Sequence, residues 1–169
     1  MKRYIKGNII ITVISVVLLV FIDFFTKKLA FDILRFSNGI SVIKGIFRLE
    51  YVENKGAAFG ILQGRLLPVI IITPILVFLV AFIYIKSINI SKFKLFRIVS
   101  IFFIAGTIGN FIDRVFYGYV IDFLYFELIN FPVFNMADIY LTLSTIVILI
   151  ALLVYYRDED WNFIRKNKK

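Results

Sequence analysis

Four long apolar runs divide the chain, and the polar residues gather between them. The first run, residues 8–25, is almost entirely Ile, Val, Leu and Phe. Crossing a bilayer core takes about 20 apolar residues, so this run predicts a first span. It follows Lys2, Arg3 and Lys6, as a secretory signal would, but Phe24, Phe25, Thr26, Lys27 and Lys28 come after it. Those residues are bulky and basic, offer no small-x-small cleavage pattern, and predict a retained helix. Runs at residues 66–85, 95–112 and 139–156 predict three more spans. Thr73-Pro74 is expected to kink the second. In the third, Ala105 and Gly109 have the spacing of a close helix contact. The expected organisation is a single polytopic membrane domain over residues 1–169, with long outer loops at 27–65 and 113–138.

Within the first loop, Phe47, Leu49 and Tyr51 alternate with Arg48 and Glu50, the period of a strand. Lys44-Gly45 before it and Asn54-Lys55-Gly56 after it read as turns, which predicts a small sheet at the membrane surface. The next residues, Ala57-Ala58-Phe59-Gly60, suit either a close approach to the backbone or a tight turn.

Composition supports the membrane assignment: 61% of the residues are hydrophobic and mean hydropathy is +0.92. A net charge of +9 on a soluble chain would suggest nucleic acid. Here the charges lie between apolar runs and report orientation instead. Residues 1–7, 86–97 and 157–169 hold 12 Lys and Arg in 32 positions, against 8 in 65 for residues 27–65 and 113–138. The richer side is expected to be cytoplasmic, with both termini on it. The two long loops then meet on the outer face.

Cys and His are absent. Disulfides, thiol nucleophiles, the usual zinc sites and every His-dependent triad are thereby excluded. Any catalysis must come from carboxylates, hydroxyls, lysines or backbone groups. The stretch from Gly109 to Asp138 carries Asp113, Asp122 and Asp138 beside Asn110, Arg114 and Asn135. Two carboxylates can hydrolyse a peptide without a metal: the ionised one takes a proton from water, and the protonated one donates to the carbonyl oxygen. Spacing does not tell which two pair. Asp138 precedes an apolar run and would suit the N-cap of the fourth span. Asp113-Arg114 suits an ion pair closing the third, and Asn135 an Asx-turn. Asp122 sits between Ile121 and Phe123 with no adjacent cation, where an acid is costly unless paired or used. Asp23 and Lys27, four apart, share a helix face and suit a salt bridge. The aromatics around Asp122 suit an interfacial belt or a lipid groove.

With these residues in view, the chain resembles the bacterial lipoprotein signal peptidases, signal peptidase II, which are membrane aspartic proteases. The resemblance rests on five ordered motifs: Asp23 to Lys27, Asn54 to Gly60, Gly109 to Arg114, Val120 to Phe123, and Phe134 to Asp138. It implies an all-α integral membrane fold, four transmembrane helices with a small extracytoplasmic β-cradle and a short surface helix. It implies Asp122 and Asp138 as the catalytic pair. Asn54, Gly56, Asn110, Asp113, Arg114 and Asn135 would shape or support the site, with Asp23 and Lys27 in a structural role. The implied substrate is a prolipoprotein whose Cys carries diacylglycerol, cut just before that Cys at the outer face of the cytoplasmic membrane. No cofactor or metal is expected; membrane lipid and substrate are the partners, and the enzyme is expected to be a monomer. Phe24 departs from the Gln common after the first motif's Asp. Three alternatives stand beside this: a carboxylate-based ion or proton transporter, a chaperone using the aromatic groove, and a Ser-Lys protease built on Ser37 or Ser41 with Lys44.

Overall fold

The computed structural model describes residues 2–56 and 66–165. Four of its helices are long and apolar enough to cross a membrane. The first, α1 (Lys2–Leu34), runs well past the expected end at Phe25. No Gly or Pro occurs from residue 8 to 38, and the polar residues of its last turns are satisfied on the helix. The Thr26 hydroxyl donates to the carbonyls of Ile22 and Asp23, and Lys28 pairs with Asp32 at 2.6 Å. Asp23 and Lys27 therefore lie inside the helix, not at its end. Helix α2 (Leu66–Lys86) continues through Pro74. Helix α3 (Lys94–Tyr117) outlasts its apolar run and stops at Gly118, whose φ of 77° gives the left-handed C-cap. Helix α4 (Met136–Val154) starts three residues before the expected span, and a four-residue helix α5 (Asn162–Arg165) follows it.

The expected strand around Phe47–Tyr51 belongs to a three-stranded antiparallel sheet in the order β1 (Ile40–Ile43), β2 (Phe47–Asn54), β3 (Val120–Phe126). Strand β3 was hidden because Val-Ile-Asp-Phe-Leu-Tyr-Phe does not alternate. It is covered on both sides, and such strands read as continuous apolar runs. Ile121 and Phe123 pack on Ala30 and Leu34 of α1. Their neighbours along the strand point the other way, and the register sets Asp122 beside Val52 and Val120 beside Asn54. Along the free side of β3, the Phe123 and Leu124 amides donate to the Phe134 carbonyl at 2.9 and 2.8 Å. That pairing carries Asn135, the next residue, up to Asp122.

Helix α3 is the central span, against α4, α1 and α2. Its contact with α4 is set by glycine, though at Gly106 more than at the expected Ala105. A methyl group on Gly106 would stand 2.5 Å from the Ala137 carbonyl, and one on Gly109 would stand 2.5 Å from an Asp23 oxygen. At the opposite end of the bundle, Phe93 is fully buried among Phe96, Tyr156 and Trp161, and Lys92 binds Asp160 at 2.6 Å.

Candidate active site

Strand β3 and the first turn of α4 deliver two carboxylates to one place. Asp122, only 2% exposed, accepts from Asn135 Nδ2 at 2.6 Å and from Asn54 Nδ2 at 2.8 Å. Asp138 accepts from Asn110 Nδ2 at 2.7 Å and from the Asn135 backbone amide at 3.1 Å. Asn135 thus touches both acids. Its side-chain oxygen also accepts the Asp138 amide at 3.0 Å, closing a reciprocal capping box. This corrects two expectations: the N-cap of α4 is Asn135, and Asp138 is its N3 residue.

A second cluster lies behind the first. Lys27, 2% exposed, spends its ammonium on Asp23 Oδ2 at 2.8 Å, Asp113 Oδ2 at 2.9 Å and Asn110 Oδ1 at 3.0 Å. Asp113 was expected to pair with Arg114. It turns instead to Lys27, because Arg114, one position along the helix, faces the cavity. The Arg114 guanidinium donates to the carbonyls of Asn110 and Gly56, each at 3.3 Å. The Gly56 amide in turn donates to Asn54 Oδ1 at 2.9 Å, which leaves the Asn54 NH2 for Asp122. The other oxygen of Asp23 accepts the Ala137 amide at 2.9 Å, and Asp113 accepts the Ile121 amide at 3.4 Å. One buried cation therefore ties α1 to α3, α4 and β3.

All the candidate residues are thus connected, in two layers. Asn54, Asn110, Arg114, Asp122 and Asp138 line a cavity of about 630 Å³ whose other walls are largely apolar, from Phe131 to Phe134 and at Ile139, Leu141 and Leu143. A further cleft of about 570 Å³ meets it at Asn54 and Asp122. Burial, and then the charge of Asp138, push the Asp122 carboxyl up to about 7, against the lowering effect of the Asn54 and Asn135 amides and of Lys27. Asp122 so holds a proton near neutral pH while sharing a cavity with a second acid. Asp23 and Lys27 lie behind the cavity wall. The apolar wall on α4 and the link from Lys27 to Asn110 escaped the sequence. The i,i+4 spacing of Asp23 and Lys27 gave only half of that cluster.

Phe24 is about half exposed on the outer surface of α1 and takes no part in the site. The segment Ala57 to Gly60 lies outside the described residues. The Ser-Lys alternative has no support in the geometry. The Ser37 hydroxyl donates to the Leu34 carbonyl, and among the described residues no hydrogen bond joins Ser37 or Ser41 to Lys44.

The sequence model of the signal peptidase (SPase) II family matches residues 15–154. The lipoprotein signal peptidase of Clostridium tetani is 39% identical over 151 residues, spanning 88% of this chain and 96% of its own. That of Halothermothrix orenii is 38% identical over 143 residues, or 85% and 92% of the two chains. Two solved bacterial membrane enzymes share the fold. One, obtained in meso at 2.3 Å resolution, superposes with a TM-score of 0.75 and 31% identity over 94% of this chain and 93% of its own. The other, at 1.9 Å resolution, gives 0.74 and 33% over 86% and 94%.

Proposed function

The chain belongs to the signal peptidase II family, peptidases that remove signal peptides from prolipoproteins, and from that premise we propose that Asp122 and Asp138 are the pair that cleaves the bond. The observation that carries this is the Asn135 bridge: one side chain donates to Asp122 and caps the helix turn that holds Asp138. Asp138, at the N-terminus of α4 and receiving donors on both oxygens, takes the role of base. It accepts a proton from water as the water oxygen attacks the carbonyl carbon. Asp122 donates its proton to the carbonyl oxygen. The tetrahedral intermediate collapses, its C–N bond breaks, and the amine leaves with a proton returned through the acids. No acyl-enzyme forms. Asn54 and Asn135 hold Asp122 in place. Arg114, at the cavity wall, places a positive charge beside the two acids.

The apolar cavity beside the acids suits a diacylglyceryl chain, and the scissile bond is then the one preceding the lipidated Cys. Burial of acyl chain is worth about 0.8 kcal/mol per CH2. Its catalytic value is positional, since a lipid held in the cavity fixes the adjacent bond at the acids. The site faces the outside of the cytoplasmic membrane in this proposal, both termini face the cytoplasm, and the enzyme acts as a monomer.

One experiment tests the assignment. Two peptides with the same signal segment, differing only in the thioether lipid, are given to the wild type and to Asp122→Asn and Asp138→Asn in one detergent. The wild type is expected to cleave the lipidated peptide alone. Each variant should accumulate normally and cleave at near-background rates, since removing one member of such a unit costs about as much as removing both. Turnover by either variant refutes the pair. Equal kcat/KM for the two peptides refutes the lipid requirement.

A further inference from the structure

Lys27 is buried, lines neither cavity, and carries no step of the chemistry described above. An ammonium only donates, so the atom of Asn110 that faces it, at 3.0 Å, must be the amide oxygen. That same oxygen receives Asn135 Nδ2 at 3.1 Å. The Asn110 NH2 is thereby turned toward Asp138, which it meets at 2.7 Å. A flipped amide would bring an oxygen against the Asp138 carboxylate and an NH2 against the Lys27 ammonium, with repulsion at both ends. Orientation of the side chain that donates to the Asp138 carboxylate thus depends on a charge on the far side of it.

We propose that Lys27 is a positioning residue for the reaction: its ammonium sets the Asn110 amide so that the NH2 side faces Asp138, and it places one positive charge behind both carboxylates. This rests on Asp122 and Asp138 being the catalytic pair. Charged groups converge here from every packed element: Asp23 on α1, Asp113 and Arg114 on α3, Asp122 on β3 and Asp138 on α4, while β2 contributes the uncharged Asn54. Asp23 and Asp113 are bound to Lys27 itself. Asp122 feels Lys27 as a stabiliser of its charged form. Removal of Lys27 should therefore make Asp122 harder to ionise, in addition to releasing Asn110.

The test is the pH profile of lipopeptide cleavage by Lys27→Met and Asp113→Asn. A filler of the ion cluster alone would lose stability or kcat without moving the profile. A positioning residue gives a different pattern. In Lys27→Met, kcat should fall on the order of tenfold or more, with KM nearly unchanged because the cavity wall is intact. The alkaline limb, where Asp122 gives up its proton, should move up by about one pH unit. In Asp113→Asn, which leaves the bond from Lys27 to Asn110 in place, the limb should stay where it is in the wild type. An unmoved limb in Lys27→Met, or an equal shift in Asp113→Asn, overturns the proposal. The double variant Lys27→Met, Asp113→Asn removes one charge of each sign and serves if the single variant does not accumulate; its limb must move as well. If neither Lys27 variant accumulates while Asp113→Asn does, Lys27 serves folding only and the proposal fails. Wild-type turnover by Asp122→Asn would instead remove the premise.

Discussion

An ionised Asp122 would sit almost fully buried beside a second carboxylate, and both conditions disfavour its charge. Its pKa of about 7 in the folded protein lies above the unfolded value near 3.8. The folded state then binds more protons between those two values, so stability falls as pH rises from about 4 to about 7 and is level beyond. If Asp122 is the proton donor proposed above, activity should fall through the same upper limit. Asp122→Asn cannot ionise. Its melting temperature relative to wild type is expected to rise between pH 5 and pH 8, by the equivalent of about 1–3 kcal/mol. A difference that stays constant with pH would show that Asp122 is not held protonated by burial. This residue stood out in the sequence, because an acid between Ile121 and Phe123 is costly unless it is paired or used. Asn135 was the least legible. Nothing in its local sequence distinguishes an Asx-turn from an N-cap, and its bond to Asp122 depends on how residues 131–134 fold back along β3.

At the level of elements, the spans were written in the hydrophobic pattern because the bilayer imposes it. Their ends were not. Helices α1 and α3 both run beyond their apolar stretches, because buried ion pairs and asparagine bonds satisfy Asp23, Lys27, Asn110 and Asp113 inside the protein. Hydropathy stops short of Lys27 and Asp113. The sheet was half visible: β2 alternates, β1 is four residues long, and β3 is too apolar to alternate. The contact between α3 and α4 gives the sharpest prediction at this scale. The nearest neighbour of a methyl group on Gly106 is the Ala137 carbonyl, part of the helix turn that carries Asp138. Backbone cannot rotate aside as a side chain can. Gly106→Ala should cost about 1–3 kcal/mol through overpacking, seen as a lowered unfolding temperature in detergent, and should reduce kcat by displacing the first turn of α4. A fully active Gly106→Ala protein of unchanged stability would mean that the two helices have slack at this crossing.

For the whole molecule, the Lys and Arg asymmetry predicts which end faces which compartment. Single cysteines can be introduced cleanly, since the native chain has none. Asn89→Cys, exposed between α2 and α3, should react with an impermeant thiol reagent only after the cells are opened. Leu128→Cys, beyond β3 and 69% exposed, should react in intact cells. The reverse pattern would invert the topology and put the site in the cytoplasm. The order of synthesis adds a constraint of another kind. Asp23 on the first helix is bonded to the Ala137 amide on the last, 114 residues later, and Asp138 is the next residue. On the proposed assignment, the site is thus completed only when the ribosome has made, and the membrane has received, the final span. A nascent or prematurely terminated chain lacks one acid and the lock that seats it. If Asp122 and Asp138 are the working pair, such a chain cannot cleave.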